Sequence, residues 1–318
     1  MNCKFFCDTI KGMQVYKIGA LLRLIRTEKK ISQSALCRGI CSVQMVSLIE
    51  KERRVAHWKL VDLLYSRLGE DTPFELAAMT KSQFERYNIE FEINSLVAIG
   101  NADIKNLLEK YAAAEAKMTK WEQQFFQFYS IVYENRAFSK KQWALDELTK
   151  TLKMTIPDYE LSDLLPKQKL LSSMELIILN NISRLLYMLG NKKDGLALME
   201  KLYGYTKHSW LSVQVRASIR LPFLYNLANW TDDKENWKLG EKLSDEGFSI
   251  CIKYGKLPYF PYFLYFKGYF SVKLKNKDEG KKFISDAFVL LRMFEKNQLA
   301  NNLSKQLNEE FGFDFPIE

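Results

Sequence analysis

An asparagine followed four residues later by a glycine recurs three times in the second half of the chain, at Asn191/Gly195, Asn236/Gly240 and Asn276/Gly280, with offsets of 45 and 40 residues. Eight residues before each asparagine stands a small residue (Ser183, Ala228, Gly268), and four before that a leucine (Leu179, Leu224, Leu264). Four positions held in register over three copies restrict the chain to stacked, similar units, each burying its apolar face against its neighbours. Small residues twelve apart across a short turn predict antiparallel helix pairs whose backbones approach closely, with the leucine filling the gap to the next pair. Elsewhere apolar residues recur at i, i+3 and i+4, and no alternating β-branched run is bounded by hairpin turns. The fold class is all-α.

The repeat resembles the tetratricopeptide (TPR) pattern, whose consensus begins W-x-x-L-G-x-x-Y. "LYNLANW" (224–230) matches its opening closely, "LNNISRL" (179–185) less so, and "LYFKGYF" (264–270) more weakly. The resemblance implies a right-handed α-solenoid of TPR-like helix pairs over residues 81–318, about five pairs in all. "WEQQFFQFYSIVYENR" (121–136) is expected as a further helix of the array. The aromatic run "LPYFPYFLYF" (257–266) is expected chiefly as inter-helix packing, with Tyr262 or Tyr265 as a wall of the groove.

Charge separates a head from this body. Of the +9 net charge, residues 1–70 carry 13 Lys/Arg against 6 Asp/Glu, leaving the rest nearly neutral. A compact basic head points to a polyanion, nucleic acid ahead of membrane, with a solvated lysine-rich surface as the plain alternative. Within the head, "ALCRGICSVQMVSLIEKERR" (35–54) starts as an amphipathic helix, breaks at "GICS", resumes, and ends in charges. This predicts a helix-turn-helix: one helix over 32–38, a turn at 39–41, and a second helix over 42–50 with Ser42 as N-cap. Leu36, Ile40, Val46 and Ile49 fall on the faces pressed together, leaving Val43, Gln44, Ser47 and Leu48 outside.

The boundary is expected at 67–75, where Gly69 ends one helix and Thr72 and Pro73 open another. The expected division is a disordered arm at 1–12, a five-helix head at 13–70, a linker helix at 71–80 and the solenoid at 81–318. The helical pattern starts at Met13, so translation from Met1 and from Met13 are both compatible with it.

Residues 26–54 resemble a phage-repressor-type (XRE) DNA-binding domain, and head plus repeats resemble peptide-pheromone-responsive transcriptional regulators of the Rgg/PlcR (RRNPP) type. The resemblance implies that Gln33 clamps a DNA phosphate and that Arg26 and Glu50 form a buried structural ion pair. Where the family carries a basic residue and then N-G or S-G, this chain has Leu48 and then Lys51-Glu52. A recognition helix reads base edges in the major groove from its N-terminal half. Gln44 suits adenine, Val43 or Leu48 a thymine methyl, and Ser42 and Ser47 lie on the same side. Arg53 and Arg54 are the leading phosphate contacts, with Lys51 and Lys59 behind them. The expected partners are a duplex DNA operator, bound by a homodimer, and a short linear peptide of quorum-sensing type.

For the peptide, the same resemblance points to Asn226 and Asn229, three apart on one helix face, and to their counterparts Asn181 and Arg184 one repeat earlier. Asparagines would pair with the peptide backbone, and Arg184 with a carboxylate. Asparagine here serves equally as a brace between helices, and a body used only for dimerisation or protein docking stays open as the alternative.

Enzyme signatures are missing: there is no P-loop, no H-E-x-x-H and no G-x-S-x-G. The two histidines share no motif with the five cysteines, so no metal and no cofactor are expected. An odd cysteine count, no signal segment and no span long enough for a bilayer point to the cytoplasm and away from membranes.

Overall fold

The computed structural model describes residues 18–70, 81–98, 103–113, 118–136, 138–167, 170–207, 212–232 and 235–317. The expected arm at 1–12, Met13 and the linker helix at 71–80 lie outside them. Fifteen α-helices and no strand occur among the described residues. The head holds α1 (Ile18–Glu28), α2 (Gln33–Cys37), α3 (Val43–Glu50) and α4 (Trp58–Arg67), so four of the five expected helices fall within the description. The body runs through α5 (Lys81–Ala98), α6 (Lys105–Ala113), α7 (Lys120–Glu134), α8 (Lys141–Lys153), α9 (Ser173–Met188) and α10 (Lys192–Tyr205). It continues with α11 (Val213–Asp232), α12 (Trp237–Tyr254), α13 (Phe260–Lys273), α14 (Lys277–Met293) and α15 (Asn297–Phe311). Helices 5 to 14 form five consecutive pairs, and α15 closes the array against α14.

The recurring motif explains the pairs physically. Asn191, Asn236 and Asn276 each stand at the N-cap of the second helix in a pair, and the side chains of Asn191 and Asn236 accept from the amides of Asp194 and Leu239. Each cap satisfies one of the amides that a helix start leaves without a partner. Glycine four residues on is required by proximity: a Cβ on Gly195 would lie 2.9 Å from the Ser183 carbonyl oxygen, and one on Gly280 2.7 Å from that of Gly268. The aligned small residues therefore meet in the first and third pairs, whereas Gly240 in the second makes room for the Phe270 ring and the Thr231 hydroxyl. First helices also pack on one another, α9 on α11 and α11 on α13, forming an inner layer.

Head and body have separate apolar cores. The head's is built on Leu22, Leu36, Val46 and Leu64, all fully buried, and borrows Leu170 from the loop that leads into α9.

Candidate functional site

The helix-turn-helix is fixed by its own serines. Ser32 and Ser42 take extended backbone angles, and each hydroxyl accepts from the amide three residues on, Ala35 and Met45, at 3.1 Å. Between the helices Gly39 has φ +74°, open to glycine without strain. A Cβ there would also collide with the Thr155 carbonyl of the body. Leu36, Ile40, Val46 and Ile49 are buried between the helices. On the outside, Val43 is 45% exposed, Gln44 is exposed, and Ser47 and Leu48 are half-buried. Lys51, Arg53 and Arg54 project from the loop after α3. The result is a helix whose outer positions are exposed or half-buried, followed at once by three exposed cations.

Two cations or donors expected at the phosphates are engaged elsewhere. The Gln33 amide donates to Glu50 Oε2 at 2.8 Å, beside Arg26, whose Nε and Nη2 reach the two carboxylate oxygens at 2.6 and 2.9 Å. One N–H of the half-buried Gln33 amide thus adds to the hydrogen bonds held by a buried carboxylate, and the amide has a second N–H beyond that bond. Lys59 is buried, paired with Glu90, and Glu90 also accepts from the Tyr111 hydroxyl at 2.6 Å. It belongs to the seat between head and body.

That seat is ionic and dry. Arg67, at the end of α4, donates to the Leu36 and Arg38 carbonyls at the end of α2 and to both oxygens of Glu175 at 2.9 and 3.3 Å. Both side chains are essentially inaccessible, at 0% and 1%. Glu175 is in turn the third residue of α9, reciprocally capped with Ser172. Arg38 and Asp158 add a half-exposed pair at 2.8 Å.

In the body, two cavities open on the inner layer. The first, of 190 Å³, lies between α7, α8 and α9 and is bordered by Asn135, Phe138, Leu148, Asn181, Arg184 and Met188. The second, of 220 Å³, lies between α11, α13 and α15 and is bordered by Tyr225, Asn229, Asp232, Tyr262, Tyr265 and Leu303. Asn181 and Arg184 thus share one cavity, and Asn229 and Tyr265 the other. Asn181 also donates to its own helix at the Ile177 carbonyl, 2.9 Å away. Tyr265 is only 8% exposed and packs on Phe266, Tyr269 and Phe288.

Asn226 departs from expectation. It is buried, borders neither cavity, and donates to Asn180 Oδ1 at 3.0 Å across α9 and α11. It is a brace between neighbouring first helices. The groove stripe of α11 runs Tyr225, Ala228, Asn229, Asp232, at i, i+3, i+4 and i+7, so Asn226 stands one residue off the face. Asn226→Ala should lower the stability of the ligand-free protein by about 1–3 kcal/mol, because the Asn180 carbonyl is left buried and unpaired. A denaturation midpoint equal to wild type would overturn the brace.

Arg184, half-buried, borders the first cavity. Its guanidinium lies 5.7 Å from the Phe138 ring centre, and burial holds its pKa below the usual arginine range, partly offset by the phenols of Tyr225 and Tyr259. Tyr225 and Tyr259 had no expected role. The one signal for Tyr225 was its place beside the aligned asparagine.

Among the described residues no cluster of three or more histidine, cysteine or acidic side chains is placed to hold a metal, and no helix is long and apolar enough to cross a membrane. Cys37, Cys41 and Cys251 are free thiols, and burial raises the pKa of Cys41 to about 11.

No protein-family model matches the chain, and no curated protein matches it. Solved structures do. PlcR of Bacillus thuringiensis, in complex with the peptide PapR7 and DNA, superposes with a TM-score of 0.56 at 16% identity, covering 92% of this chain and 99% of that one. ComR from S. thermophilus, in complex with DNA and its signalling peptide ComS, gives 0.51 at 16% identity, over 91% and 98%. At these identities the likeness is one of fold, and it extends over head and body together.

Proposed function

We propose that the chain is a transcriptional regulator, not an enzyme, that binds duplex DNA through α3 and a short linear signalling peptide in the groove of its body. The observation that carries this reading is a capped helix with an open outer face, held by a buried ionic seat on a solenoid shared in fold with PlcR and ComR. Those two proteins were solved with DNA and a peptide. A single short helix spans only a few base pairs, so a cytoplasmic homodimer reading two half-sites completes the proposal. Val43, Gln44, Ser47 and Leu48 face base edges, Ser42 holds the helix N-terminus, and Lys51, Arg53 and Arg54 neutralise phosphates.

The test starts by selecting operators from a random duplex pool with the purified full chain, followed by gel shifts across a salt series. Gln44→Ala should lose about 1–3 kcal/mol at one base position and relax specificity there. Arg53→Ala should weaken binding to every sequence and reduce the salt slope by about one. Uniform losses in both variants would refute the assignment of the reading face.

A second reading keeps the DNA head and makes the body a dimerisation or docking scaffold. The Asn226–Asn180 bond favours it at that one position. Retention of peptides from a synthetic pool by the immobilised full-length chain separates the two.

A further inference from the structure

The cavity between α11, α13 and α15 is walled by rings and carries a single charge. Tyr225, Tyr262, Tyr265, Phe266 and Tyr269 line it, and the one charged side chain on its wall is Asp232. Tyr225 meets Tyr262 nearly edge to face, at 83° with ring centres 5.6 Å apart, so two of the walls stand at right angles. Tyr265 is 8% exposed, yet among the described residues its hydroxyl has no hydrogen-bond partner, and neither have the hydroxyls of Tyr225 and Tyr262 or the side-chain amide of Asn229. The phenol oxygens, the Asn229 carbonyl and the Asp232 carboxylate are all acceptors, and the faces of the rings are electron-rich. A positively charged guest with N–H groups to donate satisfies both, whereas an anion would meet the carboxylate.

The local charge count agrees. Asp232 lies 4.0 Å from the Lys273 ammonium, which Glu310 holds at 2.5 Å, and among the described residues no other cation is in ion-pair range of either carboxylate. Two carboxylates share one ammonium, which leaves this corner one negative charge in excess. The Tyr269 hydroxyl and the Trp237 indole donate to Asp232 at 2.8 and 3.2 Å, fixing its orientation without neutralising it. The fold treats its own cation in the same way: the Lys273 ammonium lies 5.3 to 5.4 Å from the ring centres of Trp237, Tyr269 and Phe311, with a carboxylate alongside.

We propose that this cavity is a cation seat, taking an ammonium or guanidinium of the bound peptide among Tyr225, Tyr262 and Tyr265, with Asn229 and Asp232 accepting its N–H groups. The inference rests on the peptide-receptor reading above and specifies a chemical feature of its ligand. The positive group comes either from the peptide's N-terminal amine or from a Lys or Arg side chain.

Three synthetic heptapeptide pools, each amidated at the C-terminus and randomised over uncharged residues, provide the probe: one N-acetylated, one with a free N-terminal amine, and one N-acetylated but doped with Lys and Arg. Each is passed over the immobilised full-length chain, and retained peptides are quantified by mass spectrometry. The chain's net charge of +9 repels cationic peptides at long range, so a preference for them reports the local site. Wild type should retain cationic peptides over neutral ones by about tenfold or more, the effect of a hydrogen bond to a charged group. Preference for the free-amine pool identifies the N-terminus as the source, and preference for the doped pool identifies the side chain.

Asp232→Asn, which keeps an oxygen acceptor for Tyr269 or Trp237, should abolish the preference. Tyr262→Leu, which removes a half-buried ring and leaves an apolar wall, should reduce it about threefold or more. Melting temperatures show that each variant is folded, and if Asp232→Asn is not, Tyr262→Leu decides alone. A preference undiminished in either folded variant, or equal retention of neutral and cationic peptides by wild type, would overturn the proposal. Equal retention would leave the receptor reading standing, whereas retention of none from any pool would overturn both.

Discussion

Replacing Arg67 with alanine should destabilise the protein by about 3–5 kcal/mol, the range for removing one partner of a buried ion pair. The Arg67 side chain is 0% exposed and serves three elements at once. It ends α4, closes the carbonyl end of α2 through Leu36 and Arg38, and meets Glu175 at the start of α9. Alanine leaves the buried Glu175 carboxylate with only the hydrogen bond it accepts from the Ser172 backbone N–H. Replacing both partners together, as Arg67→Met with Glu175→Leu, should recover most of the loss, because no charge is then stranded. Urea denaturation followed by tryptophan fluorescence measures both. A single Arg67→Ala variant within about 0.5 kcal/mol of wild type would show that the seat contributes nothing to stability.

Arg26→Ala should act similarly inside the head, at the lower end of the same range of about 3–5 kcal/mol, since Arg26 keeps some access to water. Its side chain is 12% exposed against 2% for Glu50. The carboxylate accepts from Arg26 twice and from Gln33 once, and Arg26 also donates to the Ile31 carbonyl at 2.7 Å. Glu50 is the last residue of α3. Losing its anchor should therefore loosen the reading helix as well as lower the melting temperature, and operator affinity should fall with it. An unchanged melting temperature in Arg26→Ala would refute the structural role.

The parts of the molecule legible in the sequence are those set by local chemistry. Ser32 and Ser42 cap their helices through atoms three residues away, as Asn191 and Asn236 do at theirs, and Gly195 and Gly280 meet small residues only twelve back along the chain. Both therefore leave a pattern in the chain. The helix-turn-helix and the array of pairs follow from these alone.

The misread positions are governed by partners far along the chain. Lys59 reads as a surface cation until Glu90 is brought to it. Glu175 lies 108 residues from Arg67, and nothing near either marks the other. Asn226 was misplaced for a subtler reason. Aligning repeats on their turns fixes the helix but not its rotation, and one residue, about 100° around the axis, separates the groove stripe from the seam with α9.

One helix serves both halves of the molecule. The first turn of α9 carries Glu175, locked to the head through Arg67, and Arg184 stands on the same helix roughly 14 Å further along its axis. A helix with one end in each compartment offers a direct route by which occupancy of the groove and the pose of the head could be linked, and any such linkage runs equally in both directions. If filling the groove changes the affinity for an operator by some factor, then the operator must change the affinity for the groove's ligand by that same factor. On the proposed function, DNA would then be an effector of the body as much as the body a controller of DNA binding.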